Sequence, residues 1–201
     1  SCSESHNMAN VRRTHKQSLE ELSKIFEAFS DIDVQIGYAT CLGCPFEGIP
    51  ETKSVVDFAK QLYKVGVRTI SIADTIGIAV PNQVREVITA LQNALPEIKY
   101  HIHIHDTRGM GIVNTLTAVE CGIDNIQSTL GGLGGCPFAP GAAGNTSTED
   151  LVYMFNHMGY DTGVSFDKLV ELAKYQKSVI PNGIFSGHQQ NISTKSVCTG
   201  L

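Results

Sequence analysis

Apolar, β-branched stretches alternate with amphipathic helical stretches along most of this 201-residue chain, and each strand-like stretch follows the last by about 30 residues. That spacing is the length of a βαβ unit, which joins parallel strands by right-handed helical crossovers. Helices are expected at Ser18–Phe29, Thr52–Val65, Asn82–Ala94, Gly111–Cys121, Thr148–Met158 and Ser165–Ser178, where apolar residues recur at three and four spacing. Gly66 and Gly122 follow two of them as stops, and Pro81 precedes a third. Strands are expected at Asp33–Thr40, Arg68–Ala73, Lys99–His105 and Asp124–Thr129. Four such strands are half of an eight-stranded barrel, which usually takes about 250 residues. The fold class is therefore α/β: a (β/α)8 TIM barrel of which this chain supplies roughly the second half, as a single partial domain with a polar C-terminal tail from residue 179. A small open doubly wound sheet is the competing architecture.

In a parallel α/β fold, sites form at the carboxyl edge of the sheet. Every chemically suggestive cluster here falls at a strand's carboxyl end: Thr40-Cys41, Asp74-Thr75, His103 to Asp106, and the glycine-dense stretch from Leu130 to Asn145. His101, His103 and His105 alternate with Ile102 and Ile104, so all three imidazoles share one strand face. Two imidazoles two residues apart can chelate one divalent cation. Without a third soft ligand, an octahedral Mg or Mn site completed by oxygens is favoured over structural zinc. Asn145 is the candidate oxygen donor, although an asparagine there could equally serve a turn or cap. Cys136, between Gly-Gly and Pro-Phe, is displayed where thiolate or acid/base chemistry could use it. Asp74-Thr75 could orient a ligand or cap the following turn. Cys41-x-x-Cys44 lacks a second CxxC and reads as a packing or loop feature.

Bulk charge narrows the partners. A net charge of -5 and a pI near 5.8 give no electrostatic case for nucleic acid or an anionic membrane surface. Arg12, Arg13, His15 and Lys16 make one local basic patch, which could meet a phosphorylated ligand or be a solvated face. No apolar run approaches the roughly 20 residues of a membrane span, and the six cysteines are expected to be free thiols. The expected location is cytoplasmic, or the mitochondrial matrix if a transit peptide precedes these residues.

Gly131-Gly-Leu-Gly-Gly-Cys136-Pro-Phe, Gly144-Asn145, and Thr148-Glu-Asp-Leu-Val-Tyr153-Met together resemble the active-site loop and following helix of the 3-hydroxy-3-methylglutaryl-CoA lyase family, within the metal-dependent barrel lyases and acyltransferases. His103-Ile-His105-Asp106-Thr107 is similar to that family's metal strand, and Gly43 to Gly48 and Ala73 to Gly77 to two further strand ends. The resemblance implies retro-Claisen cleavage of a 3-hydroxy-3-methylglutaryl-CoA-like thioester to acetyl-CoA and a 3-oxoacid. It implies His103, His105 and Asn145 as ligands of a divalent metal, Mg or Mn, acting on the substrate's C3 hydroxyl and carboxylate. Cys136, His103 and Asp74 would be catalytic, with Cys136 shuttling a proton on a mobile loop. Thr75, Arg108 and Gly135 would bind substrate. The expected partners are an acyl-CoA and, in the full-length form, a second copy in a homodimer. The family's first-strand Arg-Asp pair is not among these residues, so the chain is expected to begin after the fourth strand and to be inactive alone. Arg108 stands where the family often has tyrosine, which leaves the acyl chain open. A condensing enzyme of the same superfamily and a non-catalytic half-barrel are the alternative readings.

Overall fold

A computed structural model describes residues 1–135 and 144–192. Four parallel strands, β1 (Gln35–Tyr38), β2 (Thr69–Asp74), β3 (Lys99–Ile104) and β4 (Asn125–Gln127), pair in sequence order, each with its successor. Between them run the crossover helices α3 (Thr52–Lys64), α4 (Pro81–Ala94) and α5 (Gly111–Glu120). Sequential strand order without a reversal point is the arc of a barrel, whereas a doubly wound sheet reverses its order at a switch point.

Side-chain parity divides the sheet into two faces. Tyr38, Ile70, Ile72, Tyr100, Ile102 and Ile104 point toward the helices and are buried against Val55, Phe58, Leu62, Val87, Ile88 and Leu91. The two tyrosine hydroxyls in this layer donate to helix carbonyls, Tyr38 to Val55 at 2.7 Å and Tyr100 to Leu91 at 2.9 Å. Their polar tips are thus satisfied inside an apolar layer. Thr69, Ser71, Ala73, His101, His103 and Gln127 occupy the other face, where Ser71 Oγ donates to Gln127 Oε1 at 2.8 Å. The sheet therefore sets a polar inner face opposite an apolar, helix-facing one.

Two helices precede the sheet. The second, α2 (His15–Ala28), begins three residues before its apolar periodicity, because Thr14 and Gln17 form a reciprocal capping box there. The first, α1 (Glu4–Val11), is absent from the sequence expectation. It is short and polar, and Ser3 caps it through the His6 amide at 3.0 Å. After the sheet come α6 (Thr148–His157) and α7 (Phe166–Val179), packed through Leu151, Phe155, Val170 and Ala173. The segment expected as a polar tail returns to the carboxyl edge between Gly183 and Ile192. Residues 193–201 lie outside the described residues. Cys2, Cys41, Cys44 and Cys121 are free thiols. No helix among the described residues is long and apolar enough to cross a membrane.

Candidate metal centre

The register of β3 brings His103 and His105 to the inner face at the carboxyl edge, with ring centroids 5.2 Å apart. Asn145 joins them through an isolated antiparallel bridge to His105, and the flanking backbone fixes that join. Thr146 N–H donates to the Ile104 carbonyl at 3.1 Å and Asp106 N–H to the Gly144 carbonyl at 3.0 Å. The far end of the glycine-dense loop is therefore stitched to the end of the histidine strand.

Burial sets the electrostatics of the two rings. It pushes His105 down to about 4, with the neighbouring His103 adding to the effect. It also lowers His103, partly opposed by a hydrogen bond at Gln127. Both imidazoles are thereby neutral at physiological pH, the form that binds a cation.

Two buried polar atoms at this join have no protein partner: His105 Nδ1 and Asn145 Oδ1. A buried unsatisfied donor or acceptor costs about 1–3 kcal/mol, a cost that a cation or a water at this join would relieve. The Asn145 amide is oriented by its Nδ2, which donates to the Leu133 carbonyl at 3.1 Å, leaving Oδ1 free. Gly134 makes room for it: at φ +144° a Cβ there would lie 2.3 Å from Asn145 Nδ2. Two neutral imidazoles and one amide oxygen fit a hard or borderline divalent cation that takes its remaining oxygens from substrate or water. Among the described residues no group of three His, Cys, Asp or Glu converges, so the asparagine is what makes a third donor here.

Asp74 is not brought to this cluster. Its parity is that of Ile70 and Ile72, on the helix-facing side, and it is fully buried. Its carboxylate accepts the Ile78 N–H at 3.1 Å and the Ala79 N–H at 3.0 Å, closing the turn into α4. Burial raises it to about 6 despite these bonds. Of the two roles open in the sequence, turn cap is the one its hydrogen bonds describe. Asp74→Asn places an amide N–H against a backbone N–H, which should cost about 1–3 kcal/mol of stability. Urea denaturation measures this, and an unchanged midpoint would contradict the cap.

Thr75 Oγ1 accepts the Thr40 N–H at 2.7 Å, tying the β1 and β2 loops together at a residue with φ +61°. Arg108 is exposed and its Nη1 donates to the Gly77 carbonyl at 3.3 Å, over the same turn. Gly135 is exposed. Cys136 lies outside the described residues.

Sequence reading missed the floor beneath the loop. Glu149 and Asp150 looked like first-turn acids of α6, yet both are buried. Glu149 Oε2 accepts the Gly131 N–H at 2.9 Å. Asp150 accepts the backbone N–H groups of His188 (2.9 Å) and Gln189 (2.9 Å) as well as His188 Nδ1 (2.8 Å). The hydrogen bond to Asp150 holds His188 above the ordinary histidine range, with Asp106 contributing further. A histidine raised on folding stabilises below its unfolded pKa and loses that contribution as pH climbs through the raised value. The melting-temperature gap between wild type and His188→Gln should therefore be larger near pH 5.5 than near pH 9, on either side of the ordinary histidine value. An equal gap at both would mean the ring's charge is irrelevant to the contact.

An apolar hollow of about 500 Å³ between α5, β4 and α6, lined by Val119, Ile126, Leu151 and Phe155, lies on the helix-facing side, away from the histidines. It does not belong to the centre.

Parallel strands in barrel order, with polar side chains gathered at their carboxyl edge, define the class as a β/α-barrel protein with its site in the usual place for that fold. The HMGL-like family model matches residues 1–175, and the chain belongs to that family. The mitochondrial hydroxymethylglutaryl-CoA lyase of Mus musculus is 39% identical over 168 residues, 83% of this chain and 52% of that protein. The cytoplasmic 3-hydroxy-3-methylglutaryl-CoA lyase of the same species is 37% identical over 175 residues, 86% of this chain and 51% of that one. The chain thus spans about half the length of the curated relatives it matches. An HMG-CoA lyase from Acinetobacter baumannii, solved with coenzyme A and 3-methylmalate, superposes with a TM-score of 0.88 at 34% identity, covering 100% of this chain and 66% of that one. The likeness to a lyase barrel settles the architecture against the doubly wound alternative.

Proposed function

We propose that these residues serve a divalent-metal-dependent carbon–carbon lyase. It cleaves 3-hydroxy-3-methylglutaryl-CoA, or a related 3-hydroxy-3-alkylglutaryl-CoA, to acetyl-CoA and acetoacetate or the related 3-oxoacid. The observation that carries the proposal is the convergence of His103, His105 and the unpartnered Asn145 Oδ1 at the carboxyl edge of a barrel half whose relatives bear that lyase name. His103, His105 and Asn145 would hold Mg or Mn. When bound, the cation supplies Lewis-acid polarisation of the substrate's C3 oxygen and carboxylate.

The chain's own residues do the rest. A base takes the C3 hydroxyl proton as the C2–C3 bond breaks and C3 becomes a ketone, and His103 is our candidate for that acid/base role beside its metal one. The electron pair stays on C2 as the acetyl-CoA enolate, and Cys136 delivers the proton that completes acetyl-CoA. Thr75, Arg108 and Gly135, on the loops around the same edge, would contact the acyl-CoA. Asp74 keeps the turn beneath Arg108 in place. A homodimer is supported by the apolar residues Leu172, Tyr175 and Val179, which remain exposed along α7. The mitochondrion and the cytoplasm are the compartments to examine first, since the relatives' names carry those locations.

Product analysis with a protein carrying the whole barrel tests this reading. Incubation with 3-hydroxy-3-methylglutaryl-CoA and Mg or Mn should release acetyl-CoA and acetoacetate in equal amounts. Uncleaved 3-hydroxy-3-methylglutaryl-CoA, or a condensation product formed from acetyl-CoA and a 2-oxoacid, would overturn it.

A further inference from the structure

The return of the chain after α7 grips the glycine-dense loop at both of its limbs. Ser186 Oγ donates to the backbone carbonyl of Asn145 at 2.7 Å, and the Gly132 carbonyl lies 3.5 Å from the same hydroxyl. Gly187 N–H donates to the Gly131 carbonyl at 3.0 Å, and Gln190 Nε2 bonds the Gly187 carbonyl at 3.1 Å with the Gly131 carbonyl 3.4 Å away. Asp150 anchors the segment to α6 through the amides of His188 and Gln189, while Glu149 holds Gly131 from beneath.

The fit is close enough to require glycine on both sides. Gly132 has φ +65°, and a Cβ there would lie 1.9 Å from Ser186 Oγ and 2.9 Å from the Asn145 carbonyl oxygen. The serine hydroxyl thus occupies the volume a side chain at 132 would need. A Cβ on Gly187 would meet Glu149 Oε1 at 2.5 Å and Ser147 Oγ at 2.9 Å. This segment lies beyond residues 1–175, the part matched by the family model.

We propose that Ser186 is a positioning residue for the metal centre, and that residues 183–190 form a strap setting where the Asn145 side-chain oxygen points. The Asn145 amide is fixed at one end by Leu133 and, through its own backbone carbonyl, by Ser186. Without the hydroxyl, that carbonyl keeps no other side-chain donor among the hydrogen bonds of the described residues. Groups that orient a metal ligand without touching the metal typically change affinity 10–100-fold. The inference rests on the reading of Asn145 as a metal donor.

The test uses Mn2+ alone as the probe, titrated into a protein carrying the whole barrel and followed by the electron paramagnetic resonance of free Mn2+. Ser186→Ala should weaken Mn2+ binding by roughly tenfold with little change in melting temperature, and should raise amide exchange at Gly131 to Leu133. Combined with Asn145→Ala, it should weaken binding no further than Asn145→Ala does alone. If Asn145→Ala weakens binding while Ser186→Ala binds as wild type, or if the two losses add, the strap proposal falls and the metal reading stands. If Asn145→Ala binds Mn2+ as wild type, the metal reading itself falls.

Discussion

His105→Ala, made in a protein carrying the whole barrel, is expected to lose Mn2+ binding and turnover together. The ring at 105 is one of only two imidazoles at the centre, and burial keeps it neutral. Removing it deletes a nitrogen donor and leaves Asn145 Oδ1 facing a cavity instead of a shared cation. Lewis-acid polarisation is worth several kcal/mol of transition-state stabilisation, so turnover should fall by roughly 10³-fold or more. The fold should survive, because His105 lies at the strand's end and outside the apolar layer of Ile70, Ile72, Ile102 and Ile104. Metal titration and turnover on the same sample check the result. Wild-type turnover with Mn2+ binding lost would dissociate the metal from the chemistry.

Cys136→Ala should give the opposite pattern. A positioned general acid or base contributes about 10²–10⁴-fold, so turnover should drop within that range. Mn2+ affinity should stay at the wild-type value, since the proposed donors are the two imidazoles and the Asn145 oxygen. The two variants form a matched pair: His105→Ala loses both readouts, and Cys136→Ala loses only one. Weakened metal binding in Cys136→Ala would make the sulfur a ligand and overturn its assignment as a proton carrier.

The crossover helices and strands were legible because each combined a strong period with a terminal signal. α3, α4 and α5 keep their apolar faces over three turns or so and end near Gly66, Leu95 and Gly122. The histidine face was legible for the same reason, since alternation on a strand is strict. Asp74 shows the limit of that argument. Its position at a strand end suggested the site, but its parity with Ile70 and Ile72 puts the carboxylate on the other face. α1 has no apolar stripe to reveal it and exists through the Ser3 cap and its buried His6 and Asn7.

The strap and the buried acids beneath the loop could not be read from sequence for a different reason. Glu149 and Asp150 carry an ordinary first-turn signal, and their burial comes from a segment nearly 40 residues away, with His188 38 residues beyond Asp150. No local period encodes a contact at that separation. The glycines at 132 and 134 were legible as backbone freedom, but what they make room for, a serine hydroxyl and an asparagine amide, emerges only once the chain has folded.

On the proposed reading, His103, His105 and Asn145 hold the cation on which cleavage of the C2–C3 bond depends. The most direct test is a parallel titration of a chelator-stripped protein carrying the whole barrel, in which bound Mn2+ and acetyl-CoA release from 3-hydroxy-3-methylglutaryl-CoA are measured together. No release is expected without metal, and release should rise in proportion to bound Mn2+ until one site per chain is filled. Release from the stripped protein, or a filled site with no release, would contradict this reading.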